Sequence, residues 1–140
     1  MKTLHYPLLL LFIVLTTSSF TCRKARQEDI SLEGQPLDVV QQHVAGKWKL
    51  LSTIGGISGT NKTEYQNDYI SFRDFKIIWT HNDTVRLNTA YRWQKMTDSY
   101  VMLFSGFPDS FQPLKIEPND DLILTDNIAD GYQYRLRRAN

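Results

Sequence analysis

The sequence predicts an all-β domain, an eight-stranded antiparallel up-and-down β-barrel preceded by one short N-terminal helix. Three observations point there. From Trp48 onward, about eight short runs alternate apolar with polar residues at period two, the spacing that sends successive side chains to opposite faces of a sheet. Compact turn signals separate the runs: His81-Asn82-Asp83-Thr84, Gly106-Phe107-Pro108-Asp109, Glu117-Pro118-Asn119-Asp120 and Asp130-Gly131. No helical stretch of the kind that crosses between parallel strands interrupts them. A sheet with one apolar face must bury that face and hide its edges, and closing on itself does both. A two-sheet sandwich is the alternative that the same pattern permits.

The first residues read as an address. Lys2, the apolar run from Leu8 to Leu15 and the small polar stretch from Thr16 to Thr21 are the three parts of a signal peptide over residues 1–21. The apolar run falls short of the ~20 residues that span a bilayer. Cys22, the single cysteine of the 140 residues, follows at once. Its placement resembles the acylated cysteine of bacterial lipoproteins, although Ser19 and Thr21 stand where such signals usually carry Leu and Gly, Ala or Ser. Acylation would remove a lone thiol that an oxidising compartment makes a liability. Plain secretion with cleavage near Ser19 is the alternative. Residues 22–36 are polar and lack aromatic side chains, as suits a lipid-anchored tether. Residues 37–140 then form the barrel domain. The expected location is the bacterial cell envelope, lipid-anchored through Cys22 on the outer membrane or the periplasmic face; a soluble secreted or periplasmic protein is the alternative.

Within the domain, Leu37, Val40, Gln41 and Val44 fall near helical spacing, and Gly46 stops the run. The apolar stripe is too narrow to hold a partner helix, so the helix is expected to lid one end of the barrel. Trp48 to Ile54 begins the strands. Tyr69 to Arg73 and Phe75 to Thr80 come next, as two strands if Asp74 is a turn or as one bent strand if it is not. The two-strand count gives an even number and lets the last strand pair antiparallel with the first. Thr84 to Trp93, Ser99 to Phe104, Phe111 to Ile116, Leu122 to Thr125 and Tyr132 to Arg138 complete the set.

Two stretches carry a family resemblance. Gly46-Lys47-Trp48 matches the G-x-W that opens the first strand of lipocalins, and Asp121 to Arg138 (DLILTDNIADGYQYRLRR) resembles the ending of lipocalin-like domains on small bacterial envelope lipoproteins. The similarity spans Val44 to Arg138. Ile128 stands where relatives often carry Cys. The resemblance implies a barrel whose closed end is sealed by a Trp–Arg pair, here Trp48 and Arg138. Strand geometry agrees, because the start of the first strand meets the end of the last, and Arg138 shares a face with Tyr132, Tyr134 and Leu136. In lipocalins the loop matching Gly55 to Lys62 gates the cavity.

The inward set expected from alternation is Ile54, Phe72, Ile77, Trp79, Val85, Leu87, Tyr91, Trp93, Leu114, Leu124, Tyr132 and Tyr134. Of these, Trp79, Tyr91, Trp93 and Tyr134 are the expected lining of a ligand site, aromatic walls with polar tips. The same rings would fill a solid barrel equally well. Catalysis is not expected: most aspartates sit in turns, no Ser lies in a G-x-S-x-G context, and nothing converges as nucleophile, base and oxyanion donor must. No metal is expected, since His43 and His81 are far apart and no HExxH or CxxC occurs. The chain carries 16 Lys and Arg against 15 Asp and Glu. Removing the leader takes Lys2 and no acid, so the domain is formally neutral and a nucleic-acid partner is not expected. No cofactor is expected. Two functional classes remain for a monomer: an envelope module binding a small apolar or amphipathic ligand, or a non-catalytic accessory protein at the membrane surface with a filled barrel.

Overall fold

The computed structural model describes residues 28–56, 59–106, 109–126 and 130–139. The signal segment, Cys22, the start of the tether and Ile128 lie outside these residues.

Ten strands and one helix follow in the order β1 (Ile30–Ser31), α1 (Leu37–Val44), β2 (Gly46–Gly55), β3 (Asn61–Glu64), β4 (Asp68–Arg73), β5 (Lys76–His81), β6 (Thr84–Lys95), β7 (Tyr100–Phe104), β8 (Ser110–Ile116), β9 (Asp121–Asp126) and β10 (Tyr132–Arg138). From β4 to β10 each strand pairs antiparallel with the next, and β2 pairs with both β4 and β10. The sheet is therefore a closed eight-stranded barrel, not a sandwich. β3 lies beside the upper half of β2 (Ser52 to Gly55), where β4 pairs with the lower half (Gly46 to Lys49). Asp74 is a true turn: Asp74 and Phe75 take φ +51° and +57°, a tight left-handed hairpin between β4 and β5.

The alternating strand directions define two ends. The turns after β4, β6 and β8, with α1, lie at one end, called the capped end below. The loops after β2, β5, β7 and β9 lie at the other, the mouth. Val40 and Val44 of α1 are buried at the capped end, so the helix does lid the barrel. The stretch expected to be tether already belongs to the body of the domain from Ile30 on. Ile30 and Ser31 pair with Ile116 and Lys115, Leu32 N–H donates to Leu114 O at 2.8 Å, and the Leu32 side chain is buried in the core. This segment takes a place beside β8, whose pairing with β7 runs only through Phe111 and Ser110.

The core is one cluster. Trp48, Leu50, Ile70, Phe72, Ile77, Met102, Leu122, Leu124 and Leu136 are each 1% exposed or less, and they come from β2, β4, β5, β7, β9 and β10. β6 adds Leu87, Tyr91 and Trp93, partly buried against it.

Three β-bulges correct the interior expected from alternation. Leu51 is an extra residue in β2, opposite the step from Arg135 to Leu136. It advances the phase, so Thr53 faces in and Ile54 faces out, 41% exposed. Arg86 is an extra residue in β6: Trp79 pairs with Leu87 but Thr80 with Val85, which leaves Val85 outside and 55% exposed. Leu114 is an extra residue in β8, so buried Pro113 faces Leu124 and Leu114 is only half-buried. Tyr132 keeps its phase but reaches the rim, where it is exposed.

Candidate functional site

The capped end is held by Trp48 and Arg138. Trp48 opens β2 and is 1% exposed; its indole Nε1–H donates to Val44 O at 2.8 Å, tying the barrel floor to the last turn of α1. Arg138, paired with Trp48 across β10 and β2, lays its guanidinium 4.2 Å from the indole centroid. Its Nη1 donates to Ala45 O and its Nη2 to His43 O, both at 3.1 Å. These are carbonyls at the C-terminal end of α1, where a cation is favoured. Gly46 makes the approach possible. Its φ of +123° suits glycine, and a Cβ there would stand 3.0 Å from Arg138 Nη1. The G-x-W spacing thus has a local cause: the glycine clears space for the cation that covers the tryptophan.

The four residues expected to line one ligand site divide between the two ends. Trp79 and Tyr134 face the mouth. With Leu87, Phe104, Phe111 and Asp126 among its walls, they bound a cup of about 300 Å³. Tyr91 and Trp93 lie at the capped end, on an open cleft of about 610 Å³ beside α1 whose walls include Phe72, Phe75 and Gly46. The separation follows from direction: β5 rises to the mouth and β6 descends from it, so residues late in each strand move to opposite ends. Between the two sites the axis is filled by rings. Trp93 meets Tyr91 at 5.8 Å, Tyr91 meets Phe72 at 6.4 Å, Phe72 meets Phe111 at 6.4 Å and Phe111 meets Tyr134 at 4.8 Å, in edge-on or tilted contacts.

A polar chain at the mouth escaped the sequence reading. Asp68 is buried; its Oδ1 accepts from Trp79 Nε1 at 3.0 Å and its Oδ2 lies 2.9 Å from His81 Nδ1. Asn82 Nδ2 donates to His81 Nε2 at 2.9 Å, while Asn67 Nδ2 donates to Asn82 Oδ1. With both ring nitrogens engaged by structural partners, the Asp–His pair orients Trp79 and holds the β5–β6 turn. The cross-strand register of Asp68 with His81 that builds it is invisible to local periodicity.

The mouth also carries Asp109 and Asp126, with Arg86 beside Asp68 and Asp109. Burial pushes the Asp126 carboxyl up, and the nearby Asp109 charge adds to it; its Oδ1 accepts from Tyr132 N–H at 2.7 Å. Burial, with the Asp126 charge, drives the Tyr134 hydroxyl far above its usual range. The Tyr134 hydroxyl therefore stays protonated at neutral pH. On the outer wall near the capped end, Asp121 is fully buried under Arg135 and Arg137. Burial would raise its carboxyl, but hydrogen bonds and charge from the two arginines outweigh this and hold it low.

The loop read as Gly55 to Lys62 is shorter in the fold, because Asn61 and Lys62 pair with Gly55 and Ile54. Among the described residues no group of three or more His, Cys, Asp or Glu could hold a metal ion, and no helix is long and apolar enough to cross a membrane. The geometry is that of a closed eight-stranded antiparallel barrel, an architecture consistent with the lipocalin superfamily. In comparisons with known proteins, no family model, no curated protein and no solved structure matches the chain.

Proposed function

We propose that the protein is a non-catalytic accessory or interaction domain held at the bacterial envelope membrane by an acylated Cys22, a lipocalin-like barrel of the small-lipoprotein kind that is filled and works through its surface. The observation that carries this reading is the run of ring contacts from Trp93 to Tyr134. It occupies the axis where a lipocalin cavity would lie, and it joins the core drawn from the surrounding strands. A barrel of eight strands permits filling, since its interior is just wide enough for its own side chains or for one small ligand.

The test is native mass spectrometry of the protein purified from its own envelope. The expected result is an acyl modification on Cys22 and no stoichiometric small molecule. In fractionated cells, Cys22→Ser should move the protein from the membrane pellet to the soluble fraction. A mutant that still pellets, or a mature N-terminus at Phe20, would remove the anchor from this account.

A second reading is favoured by the mouth cup alone. Trp79 and Tyr134 offer aromatic walls and the cup's volume of about 300 Å³ reaches the lower bound of small-molecule sites. A co-purifying apolar or amphipathic molecule, lost on Trp79→Ala, would establish ligand binding in place of the scaffold.

A further inference from the structure

We propose that the capped end is a docking face for the phospholipid surface, with Phe75 entering the boundary between headgroups and acyl chains and Arg73 and Lys76 meeting anionic headgroups. The inference deepens the reading of a membrane-held domain and takes its first argument from it.

The chain enters the fold at the capped end. β1 runs antiparallel to β8, with Ile30 opposite Ile116, so the polypeptide arrives at the capped end and climbs from there. Cys22 precedes Glu28 by six residues. Even fully extended, that stretch spans only about 20 Å. An acylated Cys22 therefore holds the point of chain entry, at the capped end, within about 20 Å of the bilayer.

The capped end also displays an apolar tip. Phe75 is 60% exposed, the highest value among the exposed large hydrophobic residues. It occupies a left-handed position, φ +57°, directly after Asp74 at +51°. Two successive left-handed residues are the place for Asn-Gly; a bulky aromatic residue there is strained. The fold thus carries an aromatic ring at a tip where stability favours glycine, and strain of this kind collects at functional positions. Arg73 and Lys76 flank the tip. The contact of Arg73 with Asp74, at 3.4 Å, joins two side chains each 85% exposed, so it leaves the guanidinium free to exchange partners. The next turn at this end repeats the pairing, with exposed Met96 after Lys95. The acids in the three turns here are Asp74, Asp98, Glu117 and Asp120, with exposed Glu28 and Asp29 on the entering chain and exposed Asp38 on α1; Asp29 and Glu117 are paired with Lys115. Behind Phe75 the open cleft is walled by Tyr91 and Trp93, amphipathic rings suited to the headgroup level. Apolar tips with basic flanks are the composition of an interfacial surface.

The three tryptophans make the orientation measurable. Trp93 lies at the capped end, Trp79 at the mouth, and buried Trp48 is common background. Protein expressed with its own leader, and the Cys22→Ser form of the same chain, are mixed with phosphatidylcholine–phosphatidylglycerol vesicles carrying brominated acyl chains. The Trp79→Phe variant, which keeps Trp93, should lose emission on these vesicles; the Trp93→Phe variant, which keeps Trp79, should not. In the unanchored Cys22→Ser background, Phe75→Ser should lower vesicle partition about tenfold without lowering the melting temperature. Arg73→Glu with Lys76→Glu should lower it on vesicles containing phosphatidylglycerol and not on pure phosphatidylcholine. Equal emission changes in the two tryptophan variants, or unchanged partition for Phe75→Ser, would overturn the proposal. The intact mass at Cys22 reports the anchor separately. Acylated protein without Trp93 quenching keeps the anchor and refutes the docking face; quenching without acylation keeps the docking face and refutes the anchor.

Discussion

Trp48 shows how much one position can be asked to do. Its ring fills the floor of the barrel, its Nε1–H satisfies the Val44 carbonyl at the end of α1, and its face receives Arg138. Truncation removes all three, so Trp48→Ala should cost about 3–5 kcal/mol in urea unfolding. Arg138→Ala keeps the packed ring but leaves the His43 and Ala45 carbonyls without the guanidinium, and a loss of about 1–3 kcal/mol is expected from the same measurement. Asp121 adds a pH-dependent term. Its carboxyl is held low in the folded protein, so its contribution is fully present above the ordinary carboxylate range and fades as pH falls through the folded value. Asp121→Asn should therefore destabilise by about 2–3 kcal/mol at pH 7, and the gap from wild type should close on acidification. A gap that is constant with pH would mean the arginines contribute packing and not charge.

At the scale of elements, the β4–β5 hairpin is where local preference and the observed chain disagree most. Replacing Asp74-Phe75 with Asn-Gly supplies residues suited to φ +51° and +57°, and thermal unfolding should show a gain of about 1 kcal/mol. That outcome would confirm that Phe75 is kept there against stability. The eight barrel strands were legible in the sequence because alternation and turn chemistry are local signals; the short outer strands β1 and β3 were not. The helix was legible for the same reason, and so was the meeting of Trp48 with Arg138, which needs only strand direction and parity. What local patterns could not reveal is phase. Leu51, Arg86 and Leu114 each insert one residue, and each insertion changes which neighbours face inward. Nothing in the composition around these three residues marks them as extra, because a bulge is defined by the partner strand. The capture of Leu32 by the core was hidden likewise, since one leucine in a polar stretch has no periodicity to announce it.

For the whole molecule, the expected ligand residues divide between the two ends, Trp79 and Tyr134 at the mouth and Tyr91 and Trp93 at the capped end, as a filled barrel would place them. A hollow barrel would have a floor stabilised by Trp48 and a separate, weakly packed mouth, and the mouth would open first under denaturant. Here Phe72, Phe111 and Tyr134 carry ring contacts from the floor to the cup, so the two ends share one core. A domain of this size with a continuous core should unfold in one step. Two variants can test that with tryptophan emission: Trp79→Phe with Trp93→Phe leaves Trp48 as reporter of the floor, and Trp93→Phe with Trp48→Phe leaves Trp79 as reporter of the mouth. Because Trp48→Phe itself lowers stability, each emission curve is compared with far-ultraviolet circular dichroism of the same variant, not with the other variant. The expected result is coincidence of the two curves in both cases. A Trp79 transition that precedes the loss of strand signal, while the Trp48 transition coincides with it, would show a mouth that opens independently. That result would restore the cup at Trp79 and Tyr134 as the working part of the molecule.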